Sequence, residues 1–121
     1  MSTLAGNESN VFTPRELFAG DSDIVTNAHL FAASLELPIN SVVALNTSGS
    51  LVEWVPGASD STAVAIGITC EAVDTTAGAA INPIYEGGYF NTDAIAWPSG
   101  ATAAQKQGAF AGTNIHHRAL A

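Results

Sequence analysis

Between Ile24 and Pro98 the chain is cut into short β-prone runs by turn-forming clusters at fairly even spacing. That pattern predicts a mainly β fold, a small barrel or sandwich. Ile24-Val25-Thr26 reads as a short strand after the turn cluster Asp21-Ser22-Asp23. Residues 42–45 and 51–55 read as two strands of a hairpin, joined by the Gly-containing loop Asn46-Thr47-Ser48-Gly49-Ser50. After a loop at 56–61, residues 63–70 form the clearest strand pattern, with Val64, Ile66, Ile68 and Cys70 expected on one face and Ala63, Ala65, Gly67 and Thr69 on the other. Glu86-Gly87-Gly88 reads as a turn between strands at 81–85 and 89–90. Thr102 with Gln105 three residues later fits a capping box, so a helix of about two turns is expected to follow and to stop near Gly112. Residues 1–13 are polar and aperiodic and are expected to form a flexible N-terminal arm before a β-rich domain at 14–121.

A length of 121 residues suits one domain, and 47% hydrophobic residues are enough for a core. Charged residues make up 12%, well below the roughly 25% usual for soluble domains. A surface so poor in charge is what buried interface cores look like. With 3 basic and 11 acidic residues the net charge is −8. Arg15, Lys106 and Arg118 cannot form a phosphate-tracking patch, which argues against nucleic acid and against an anionic membrane surface as partners. The start Met-Ser-Thr-Leu-Ala-Gly-Asn-Glu has neither the basic nor the apolar region of a signal peptide, and no apolar run is long enough to span a bilayer. A soluble protein made in a cytoplasm is expected.

Little in the sequence points to catalysis. Cys70, the single cysteine, lies on the aliphatic face of the 63–70 strand pattern and is expected to be buried and inert. His116 and His117 are adjacent, so they point in different directions, and they read as a solvated tail. Glu16, Asp21 and Asp23 lack the spacing of a calcium loop and are explained by capping. No nucleophile elbow, phosphate loop or zinc-protease motif is present. The expectation is no catalytic residue, no metal site and no cofactor. Trp54 and Trp97 are large amphipathic anchors, suited to the core or to a subunit boundary.

Several separate motifs carry a resemblance. They are Ala63-Val64-Ala65-Ile66-Gly67-Ile68, then Ile84-Tyr85-Glu86-Gly87-Gly88-Tyr89-Phe90-Asn91, then Ile95-Ala96-Trp97-Pro98, then Lys106 followed by Ala109-Phe110-Ala111-Gly112-Thr113. In this order, nearly gap-free over about sixty residues, they resemble the head decoration proteins of the phage lambda type. Leu17-Phe18-Ala19-Gly20-Asp21 and residues 37–44 are similar to wider members, with Asn40 where Gly is frequent. Asn is the best non-Gly occupant of a left-handed turn, so the fold is not harmed. The helix after Trp97 carries only Lys106, where the lambda protein is more basic.

The resemblance implies a small β-tulip-like or barrel-like single domain with one or two short helices. It implies a homotrimer bound to the major coat protein at three-fold sites on the outer surface of an expanded head, within the virion, stabilising the shell against internal DNA pressure. Asn10, Val11, Phe12, Thr13 and Pro14 are the expected capsid-binding residues, because Val11-Phe12-Thr13 are the β-prone part of the arm and could add to a sheet edge. Trp97, Pro98 and Phe110 are the expected trimer or capsid interface. The competing readings are a small barrel enzyme, which would need a pocket of converging titratable groups, and a host-facing adhesion domain, which would expose aromatics on a rigid face.

Overall fold

The computed structural model describes residues 24–119. Among them are the strands β1 (Val25–Phe31), β2 (Glu36–Leu37), β3 (Val42–Leu45), β4 (Leu51–Glu53), β5 (Gly67–Thr69), β6 (Val73–Asp74), β7 (Ala80–Asn91) and β8 (Asn114–Arg118). The helix α1 spans Ala103–Gly108, and short 3-10 turns lie at Ser61–Ala63 and Thr92–Ala94. β1, β4, β3, β5 and β7 pair in that order, and β7 pairs back onto β1, so the fold is a closed five-stranded barrel. At Gly87 the strand neighbours are Val25 and Asn114, which places β8 alongside β7 beyond β5, in parallel. β2 and β6 form a separate antiparallel ribbon.

The 46–50 hairpin loop forms as the sequence suggests. The Asn46 side-chain oxygen accepts from the amides of Ser48 at 2.9 Å and Ser50 at 3.0 Å, and Gly49 takes a φ of 86°. Asn40 stands at a φ of 68°, the left-handed conformation for which Asn substitutes best.

Strand alternation splits the core in two. Phe31, Val43, Leu51 and Ile84, from four of the five barrel strands, share one cluster with Leu37 and Val73 of the ribbon. This cluster is therefore the barrel interior. Val42, Ala44 and Ile68 face the other way, under a second layer built from Trp54, Phe90, Ile95, Phe110 and Ile115.

Four expectations are corrected. The 63–70 strand begins only at Gly67, because Asp60 caps a 3-10 turn over Ser61–Ala63 and the Trp54 indole N–H holds the Ala63 carbonyl at 2.8 Å. Its faces also differ from the simple alternation: Val64 is exposed, Ala65 and Thr69 are buried, and Cys70 is half-buried. A barrel strand covered by a second layer is apolar on both faces, so alternation cannot tell inside from outside there. Glu86-Gly87-Gly88 is not a turn but the middle of β7, where the register against β1 shifts between Val25 and Thr26. The 115–118 tail is not free; it is β8. The helix keeps its capping box, with Gln105 N–H to Thr102 Oγ1 at 3.1 Å, but ends at Gly108, short of Gly112.

Gly88 is required twice over. Its φ is 140°, and a Cβ there would lie 2.9 Å from Cε1 of the fully buried Phe90. Gly88→Ala is expected to destabilise the fold by about 2–3 kcal/mol, read as a lower urea midpoint with an unchanged slope.

Candidate functional site

The second core layer ends in an aromatic corner where the 3-10 turn Thr92–Ala94, α1 and β8 meet. Trp97 stands at its centre, half-buried. Its ring lies edge-on to Trp54 at 6.1 Å and to His117 at 5.2 Å, and tilted to Phe110 at 6.4 Å. Its indole N–H donates to the Thr92 carbonyl at 3.0 Å, and Lys106 Nζ sits 5.9 Å from the ring centre. Such ring pairs and the cation over the ring each add modestly to the area they bury.

Phe110 is only 3% exposed, and its backbone takes a φ of 68°. A tight turn imposes this: Thr113 donates to the Phe110 carbonyl through its amide at 3.0 Å and its hydroxyl at 2.6 Å. Trp97 and Phe110 are thus brought together, with Phe110 inside the subunit's own core. Half-buried Pro98 lines a shallow groove with Trp54, Val55, Pro56 and Gln105. Asn10, Val11, Phe12, Thr13 and Pro14, and also Glu16, Asp21 and Asp23, lie outside the described residues.

Sequence reasoning missed His117. The two-residue period of β8 sends Ile115 and His117 inward and leaves His116 exposed against Tyr89. That period was the available signal, and the shortness of the segment hid it. The His117 Nδ1 and the Thr92 hydroxyl lie 2.8 Å apart. Burial holds the imidazole below its ordinary range, partly offset by a hydrogen bond to the Lys106 backbone. The unfolded chain therefore binds the proton more readily near pH 6.5 than the folded one. Stability is expected to fall as pH drops through about 6.5, and in His117→Gln this step should vanish while overall stability is lower; melting temperatures from pH 8 to about pH 5 check it. The carboxylates held below their ordinary range, Glu86 by Asn27, Asp60 by Thr62 and Asp74 by Thr76, lose their contribution only at lower pH.

A second polar group sits on the barrel's β1–β7 face. Glu86 accepts from Asn27 Nδ2 at 2.5 Å and meets His29 Nε2 at 2.6 Å. Among the described residues no three His, Cys, Asp or Glu side chains gather into a metal site, and no helix is long and apolar enough to cross a membrane. Burial and the nearby Glu71 carboxylate push the Cys70 thiol up, away from the reactive thiolate.

No curated protein matches the chain. The family model described as bacteriophage lambda head decoration protein D matches residues 8–118, nearly the whole sequence and every motif that carried the resemblance from Ala63 onward. With its closed β-barrel, its short capped helix and this match, the chain belongs to the bacteriophage lambda head decoration protein D family.

Proposed function

We propose that this protein binds as a homotrimer at three-fold sites on the outer surface of an expanded phage head, where it holds neighbouring coat subunits together against the pressure of packaged DNA. Family membership makes it a structural protein of the phage capsid, associated with the head in the virion, and the match over residues 8–118 is the observation that carries the reading. In this reading Asn10 to Pro14 add as a strand to an exposed sheet edge of the major coat protein. The corner around Trp97 and Pro98 faces a neighbouring subunit or the coat, and Phe110 supports that surface from within through its turn. The role needs no catalysis and no cofactor. Three arms on one trimer act together, so modest single contacts give high avidity.

An adhesion domain would present aromatic side chains to solvent. Here every described Phe, Tyr and Trp is buried or half-buried, which favours the structural role. The test is to mix the purified protein with expanded, undecorated heads and image them. Three-fold density of trimeric shape is expected; bare three-fold sites, or monomers scattered elsewhere, would sink the reading.

A further inference from the structure

Lys106 and Arg118 are the only Lys or Arg side chains among the described residues, and both line one cavity of about 400 Å³. α1 supplies Lys106 and the end of β8 supplies Arg118, with Thr92, Asp93, Gln107 and His117 between them. Aromatic rings steady both cations: Lys106 Nζ lies 5.9 Å from the Trp97 ring centre and Arg118 Cζ lies 5.4 Å from that of Tyr89. Held side chains lose less freedom on binding. Among the described residues that line the groove, two cations, Lys106 and Arg118, stand beside one carboxylate, that of Asp93. The rest of the described surface carries acids and no Lys or Arg.

The acids crowd at the ribbon. The β2–β6 pairing sets Glu36 directly opposite Asp74, both exposed, with exposed Glu71 close by in sequence. Like charges opposed across a strand pair destabilise it. Leu37 and Val73 anchor this ribbon on the barrel-interior cluster, whereas the groove lies against the second layer, so the two charged patches are distinct. At a net charge of −8, copies of the chain repel one another unless opposite charges meet where they touch.

We propose that the Lys106–Arg118 groove of one copy receives the acidic Glu36–Asp74 ribbon of a second copy, so that subunits associate head to tail. Contact between two different patches is heterologous, the kind that closes three-fold rings. The inference rests on the trimeric reading above and supplies its subunit contact.

Sedimentation velocity on the full chain tests it, at concentrations up to about 1 mM, the weak end of specific association. The wild type is expected to associate at about 0.02 M salt and to lose about tenfold in affinity by about 0.5 M. Lys106→Glu with Arg118→Glu, and separately Glu36→Lys with Asp74→Lys, should each weaken association by at least about tenfold, and the four changes combined should restore it. Lys106→Gln with Arg118→Gln carries the same comparison if the reversed chain fails to fold. Wild-type-like association of a folded groove variant overturns the proposal, as does a wild type that stays monomeric throughout or a combined chain that stays dissociated. A failure of the trimeric reading appears separately, as bare three-fold sites on the imaged heads.

Discussion

Removing Met1 to Thr13 is expected to cut attachment to expanded heads by a factor of about 100 or more while leaving the melting temperature within about 2 °C of wild type. The barrel supplies its own core: every buried apolar side chain among the described residues lies between Phe31 and Ile115, in two clusters closed by strands that begin at Val25. A polar arm has little apolar area to add to that core. Attachment differs because three strand additions per trimer are lost at once. Ordering each arm residue costs about 1–2 kcal/mol of backbone entropy, so only a matched edge captures it. Phe12→Pro, which removes one amide donor, should act in the same direction with less effect. Occupancy of heads by imaging or co-sedimentation, with thermal melts of the same samples, separates the two outcomes. Unchanged occupancy of the truncated protein would move attachment to the globular surface around Trp97 and Pro98.

Trp97→Ala is expected to destabilise the isolated subunit by about 3 kcal/mol, the lower end for a tryptophan because the ring is half-buried. For a chain of 121 residues that corresponds to a melting temperature about 10 °C lower. The loss has several named parts: the contacts to Trp54, Phe110 and His117, the hydrogen bond to the Thr92 carbonyl, and the ring beneath Lys106. Trp97→Phe should recover part of it, since a phenyl ring keeps the packing and forfeits only the indole donor. A melt unchanged by Trp97→Ala, with subunit association lost, would mean that the ring serves a partner and not its own corner.

Much of the local structure was legible from short-range chemistry. Asn46 and Gly49 specify their loop because an Asn side chain bonds amides two and four residues on and Gly takes positive φ. Thr102 and Gln105 specify a helix start by satisfying each other's backbone donors. Asn40 could be read as a left-handed residue from its type alone. The mainly β class followed from the spacing of turns, and the family from motifs whose order survives along the chain.

Tertiary structure decided the rest, wherever the deciding neighbour is distant in sequence. Gly87 and Gly88 look like a turn until β1 and β8 are laid on either side of them; a strand gripped on both edges runs straight through. The faces of residues 63–70 could not be sorted, because barrel closure and the layer over Trp54 make both faces apolar. His117 reads as a solvated tail until β8 pairs with β7 and turns it under Trp97. Lys106 and Arg118 are twelve residues apart, on a helix and a strand, and only the fold of the corner between them makes one groove of two isolated charges. Sequence spacing records which groups a chain carries and which local bonds they can make; pairings across tens of residues are chosen by burial of the whole core, and those pairings set which groups share a surface.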